Sequence, residues 1–406
     1  MTGNAPPFEY CFLNKKNTFQ GLDNVMKKKR YITRTVKVGC LLLALLFSLS
    51  FLQTYALRRL DHNSIRLNGF YHEQEQSLDV ALLGASEVYT SFSSCRAYHE
   101  YGFTSYPYAT ESITASGILT ALKEVVRTQK PKLILIEPNP FLYGNDKNES
   151  NEAHIRKLVD NIPINQNKID FINQYIKPED RIEYYLPLMK YHGIWSDYPE
   201  PGRRVVSTIL QDMRGFSYLK GFRTTTGVFK PKQKVLNKKI IADNRESKLN
   251  ANLEKKLIEL LDYCKEQKLN VVFFRVPHLV YSQTATRVKR SNYAAEIINR
   301  YGYDYINMER DWKLVGIDPA KDFYNFDHVN IYGTVKVTDY LGGIIQNVYG
   351  VGKSELSAKQ KEQWDASAEA FENLTRYCDD LIRNQHKVMR LEEDINTLND
   401  IKKYAK

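Results

Sequence analysis

From Val38 to Leu57 the chain reads VGCLLLALLFSLSFLQTYAL, a run without a single charge. Roughly 20 apolar residues are what a helix needs to cross ~30 Å of hydrocarbon, so the run predicts a transmembrane helix over 38–57. It is apolar on every face and bordered by charge at both ends, which argues against the core helix of a water-soluble fold. Lys27, Lys28, Lys29, Arg30, Arg34 and Lys37 precede it. The positive-inside bias holds such a cluster in the cytoplasm, so residues 1–37 read as a basic cytoplasmic segment and the bulk of the chain as extracytoplasmic. Arg58 and Arg59 reduce the asymmetry. A cleaved signal peptide is the competing reading; the long flank ahead of the run and the lack of a small-x-small site favour an uncleaved anchor. Residues 58–78 then read as a stalk.

The formal charge of +11 would suggest an acidic partner if it were spread over the chain. It is not. Ten Lys and Arg against Glu9 and Asp23 place +8 within the first 59 residues and leave +3 for the rest. That small surplus, outside the cell, argues against nucleic acid. Cys11, Cys40, Cys95, Cys264 and Cys378 form no Cys-x-x-Cys pair and no His/Cys cluster, so neither a disulfide framework nor a metal site is indicated, and no cofactor motif appears.

The folded part, 79–350, alternates short apolar runs with helical patterns. Asp79–Gly84, Lys132–Glu137, Asn270–Val276 and Asp304–Asn307 read as strands buried on both faces, with a weaker one at Phe103–Tyr106. Helical periodicity covers Ile113–Thr128, Asn250–Gln267, Asn292–Tyr301 and Tyr332–Val348. Alternation of this kind predicts an α/β fold, a parallel sheet layered between helices. Residues 144–244 break the rhythm and read as an insertion placed to cover a site; their aromatic stretch Ile182–Tyr198 either stacks on sugar faces or packs as a small core.

The segment 354–406 has its own pattern. Leu374, Leu381, Val388 and Ile395 recur at seven-residue steps, with Tyr377, Asn384, Leu391 and Leu398 three residues after each, an a/d seam over four repeats. This predicts either a coiled coil, through which the chain would form a homo-oligomer, or one long amphipathic helix packed back on its own domain.

Two stretches carry chemistry. Gly84-Ala85-Ser86 closes the first strong strand, so a tight turn there would expose Ser86 at the carboxyl edge of the sheet, where open α/β folds bind ligands. A serine after a strand also serves simply as a helix N-cap. Far along the chain, Asp322–Gly333 (DFYNFDHVNIYG) puts His328 in a polar loop before a helix, where it could take the proton that a nucleophilic hydroxyl must lose. His278, after the strand ending at Val276, and His192 are the rival bases.

The order strand-Gly-x-Ser-helix, then a strand ending in Pro138-Asn139, then His-x-Asn-x-x-Gly before a final helix resembles the SGNH/GDSL hydrolase superfamily over about Asp79–Tyr349. The resemblance implies an SGNH-like three-layer fold with Ser86 and His328 as catalytic pair. It also implies oxyanion donors from Ser86, Ala109 and Asn139; Asn139 between its prolines is otherwise an ordinary turn residue. Two positions depart from the family. Ala109 stands where Gly is usual, and Asn325 stands three residues before the His, where the family has Asp. Asp327 and the more distant Asp322 leave the third triad member open. The membrane-anchored form resembles the cell-envelope group that includes the lipoteichoic acid D-alanylation protein and the alginate O-acetylation proteins, and Tyr191, His192 and Trp195 resemble a segment of its Gram-positive members.

That group implies an extracytoplasmic acyltransferase or esterase working on an envelope glycan or teichoic polymer, alongside a multi-pass membrane acyltransferase, with His192 and Trp195 as weak substrate contacts. The alternative is a non-catalytic envelope-assembly scaffold that keeps the sheet and binds polymer or a membrane partner. Asn325 favours it.

Overall fold

The computed structural model describes residues 10–56, 60–194, 200–231 and 238–405. It divides into two units, residues 1–58 and 59–406. In the first, a single helix α1 (Tyr10–Phe51) continues into a π-helical turn, Leu52–Ala56. Within it, Met26–Ala56 is long and apolar enough to cross a membrane, with none of its apolar window buried against protein. The basic residues Lys27 to Lys37 are thus helical and continuous with the apolar run expected at 38–57, of which Leu57 lies outside the described residues.

The second unit is a mixed α/β fold around a five-stranded parallel sheet. Its strands are β1 (Val80–Gly84), β2 (Ser105–Ala109), β3 (Leu133–Ile136), β5 (Val271–Arg275) and β6 (Asp304–Asn307), in the order β2-β1-β3-β5-β6. A separate antiparallel ribbon pairs β4 (Thr224–Thr225) with β7 (Arg390–Leu391). The continuous apolar runs have a direct cause. Ala81, Leu83, Ile134, Ile136, Val271 and Phe273 face one core, while Val80, Leu82, Leu133, Leu135, Val272 and Phe274 face another. Alternate side chains therefore meet helices on both sides.

One face is covered by α2 (His62–His72), α5 (Ala115–Thr128) and the helices Ala251–Glu266 and Ala285–Arg300. The other is covered by α3 (Ser86–Ser91), α4 (Ser94–Tyr101) and the helix Ile331–Asn347. From β1 the chain moves outward to β2, then crosses back to β3 on the other side of β1. The connections that leave the carboxyl ends of β1 and β3 consequently run in opposite directions, which is where such sheets usually hold a ligand.

Three expectations are corrected. The 58–78 stretch is no stalk from residue 60 onward. Asp61 caps α2 by accepting from the Asn63 and Ser64 amides, and Leu67 and Phe70 are fully buried against the sheet. The helix Ala285–Arg300 begins seven residues ahead of the expected Asn292. The four-repeat seam is not one helix: Ala358–Arg383 ends at Asn384, Val388 is 61% exposed, and the chain turns back through β7 to a short helix, Ile395–Ile401. Leu374, Tyr377, Leu381 and Leu391 are buried together in the chain's own core. The heptad spacing thus records packing inside the unit, on three elements rather than one.

Candidate active site

Ser86 is delivered by a tight turn. Gly84 has φ +152°, and a Cβ there would come within 2.5 Å of Val88 Cγ2 and 2.8 Å of Glu137 Cβ. Only glycine lets β1 end this close to β3, and α3 starts at Ser86 itself. His328 is delivered by a loop closed on itself by hydrogen bonds. Phe323 and Val329 bridge antiparallel, and the Tyr324 amide donates to the His328 carbonyl at 3.1 Å. Asn330 then caps the helix Ile331–Asn347, accepting from the Tyr332 and Gly333 amides, while its own amide donates to Gly227 O and Lys321 O. Gly333 is required because a Cβ would meet the Asp322 carbonyl at 2.6 Å. The His-x-Asn-x-x-Gly pattern is therefore a folding device that fixes the imidazole.

The two meet. His328 Nε2 lies 2.7 Å from Ser86 Oγ. On its other side, His328 Nδ1 lies 3.0 Å from Asn325 Oδ1, which also accepts from the Asp327 and His328 amides. With Nδ1 donating to Asn325, Nε2 is left as the acceptor for the serine proton. Burial lowers the His328 pKa from its usual 6.5, with Glu87 and Asp327 pulling the other way. A neutral imidazole at hydrogen-bond distance from a hydroxyl is what proton abstraction requires. The Tyr324 ring stacks on the imidazole, centroids 5.4 Å apart.

The other expected residues are placed less simply. The Asp327 carboxylate does not pair with His328 Nδ1 but with Arg287 at 2.8 Å; burial acts to raise its pKa, and His278 and Arg287 overcome this and lower it. Asp322 is held by Lys336 at 2.6 Å and by the Asp318 amide. Asn139 lies three residues past the end of β3, at the start of a 3-10 turn (Asn139–Leu142), and its side-chain amide donates to Glu87 Oε1 at 2.6 Å. Glu87 also brings Oε2 to 3.4 Å from Ser86 Oγ, so the carboxylate next to the serine occupies the donor that the resemblance assigns to the oxyanion. Ala109 ends β2, fully buried, and does not line the Ser86 cleft.

His278 faces Glu309 at 2.9 Å, and Arg275 reaches both Glu309 and Asn139, which makes a buried polar layer beneath the site rather than a second base. Burial acts to raise the Glu309 pKa, but Arg275 and His278 bring it to about 2. Burial and the adjacent Glu87 push Glu137 well above the usual carboxylate range.

His192 is on an exposed turn, its Nδ1 2.9 Å from Met189 O, and does not line the cleft. Trp195 lies outside the described residues. Tyr184 is buried in a small cluster with Ile155, Val159 and Phe171 and lies under Arg156, and Tyr191 bonds Asp160, so neither ring offers a free face at Ser86.

The cleft at Ser86 encloses about 160 Å³. Sequence reading missed most of its walls: Tyr89, Glu111, Arg223, Thr224, Tyr324 and Arg390. Only Tyr324, inside the His328 loop, carried any signal. Among the described residues no group of three or more His, Cys, Asp or Glu could hold a metal ion. No protein-family model matches the chain, and no curated protein matches it.

Proposed function

We propose that the second unit is an SGNH-like serine acyltransferase or esterase, held at the cell membrane with its site outside, acting on an envelope glycan or teichoic polymer. The observation that carries this reading is the 2.7 Å contact between His328 Nε2 and Ser86 Oγ, with Asn325 on Nδ1, at the carboxyl edge of a parallel sheet. In the reaction, Ser86 Oγ attacks the ester carbonyl as its proton passes to His328 Nε2. The tetrahedral oxyanion collapses, the leaving alcohol takes that proton, and an acyl-serine remains. A polymer hydroxyl or water then attacks, giving its proton to His328, and free Ser86 is restored. Ser86 stands at the first position of α3, where its N–H has no intrahelical acceptor and can face the oxyanion.

The envelope substrate, the outside location and a multi-pass membrane acyltransferase as partner follow from the family resemblance together with the apolar helix. The scaffold reading is kept by one observation, that Glu87 holds the Asn139 amide and places a carboxylate beside the nucleophile.

Full-length protein in detergent, treated with a serine-reactive fluorophosphonate, separates the two readings. Labelling should be at Ser86, absent in Ser86→Ala and strongly slowed in His328→Ala. No labelling, or labelling undiminished in Ser86→Ala, ends the enzyme proposal.

A further inference from the structure

The ribbon β4–β7 joins two distant parts of the chain directly over the cleft. Thr225 pairs with Arg390, and Thr224 with Leu391. Arg223, Thr224, Thr225 and Arg390 all line the space that Ser86 and His328 open into. The charges there are unevenly matched. Arg223 pairs with Glu392 at 3.1 Å, and Glu111 pairs with Lys157 at 3.0 Å. Arg390 is exposed and has no ion-pair partner among the described residues. A guanidinium on the cleft wall with no carboxylate beside it is free to meet an anion that enters.

We propose that Arg390 forms an anion subsite of the Ser86 cleft, which takes a phosphate or carboxylate carried by the substrate next to its reacting oxygen. This rests on the enzyme reading for its role but not for its binding. The tail is then no appendage: it supplies the guanidinium that selects the substrate. A guanidinium offers paired N–H donors in a plane that fits either oxyanion.

Calorimetry on the full-length protein in detergent, with glycerol 1-phosphate and with glucuronate as probes and glycerol and glucose as uncharged controls, tests it. At least one anion should bind while both neutral controls fail, and which one binds distinguishes phosphate from carboxylate. Arg390→Gln should weaken that binding about tenfold or more, and Arg390→Lys should recover part of it. Ser86→Ala should bind as the parent does. Arg390 is on the surface, so an unchanged melting curve shows that its variants fold. Neither anion binding, or Arg390→Gln binding like the parent, overturns the subsite while Ser86 labelling stands; lost labelling with anion binding intact removes the serine chemistry and leaves the subsite.

Discussion

The His328 imidazole sits between two influences whose balance sets the pH at which Ser86 can react. Burial disfavours the charged ring and lowers its pKa below 6.5, and Glu87 and Asp327 restore part of the loss. The base must be neutral, so kcat/KM should rise with pH through a limb below 6.5 and stay flat through neutrality. Asn325 accepts from Nδ1 but, uncharged, cannot stabilise the imidazolium that forms as the proton moves. Asn325→Asp puts a carboxylate at that atom, which favours the protonated ring, so the limb should move to higher pH while the plateau rate rises. The rate of fluorophosphonate labelling of each form between about pH 4 and 8 measures both effects. A limb that stays in place in Asn325→Asp means Asn325 does not govern the ring. At this scale Ser86, His328 and Asn325 were legible because each sits in a short motif whose geometry is local. Glu87 stood beside Ser86 in plain view, yet its capture of the Asn139 amide depends on β1 and β3 being neighbours, which no local pattern states. Arg223 and Arg390 were invisible for the same reason: only the pairing of β4 with β7 brings them together at the cleft, and no local pattern states it.

Between β1 and α3 the chain has almost no room. Gly84→Ala would drive its methyl group into Val88 and Glu137, neither the flexible end of a side chain, so β1 or α3 must shift. Overpacking of this kind costs about 1–3 kcal/mol, and the lost turn geometry displaces Ser86 as well. Urea unfolding of the purified protein should show that loss, and labelling at Ser86 should fall with it; a variant of unchanged stability would mean the turn is not tight. Four of the strands were readable to within one residue, since a parallel sheet covered on both faces forces unbroken apolar runs such as LILI in β3, whereas β2, expected at 103–106, runs from 105 to 109. Proline at 107 weakened the signal of β2, yet the strand holds: it is an edge strand, paired only with β1, where a missing N–H is tolerated. The tail misled because an a/d repeat reports only that apolar residues share a helix face. Leu374, Tyr377 and Leu381 do share one, and what they meet is the chain's own Phe222 and Leu391.

For the molecule as a whole, the reading of function depends on which side of the membrane holds the sheet. Among the described residues one helix is long and apolar enough to span, and Lys27 to Lys37 precede its apolar run; translocating such a basic cluster would go against the positive-inside bias. The second unit should therefore lie outside. Cysteine chemistry can report this with little background, because Cys95, Cys264 and Cys378 are fully buried. Burial also raises the pKa of each thiol, which leaves little reactive thiolate at neutral pH. Lys147 is exposed, in a turn of the second unit. In cells expressing the full-length chain with Cys11→Ser, Cys40→Ser and Lys147→Cys, a membrane-impermeant maleimide should label the protein before lysis, and labelling should not increase when the cells are opened. Label gained only after lysis would place the sheet in the cytoplasm, and an envelope polymer could not then reach Ser86 whatever its reactivity.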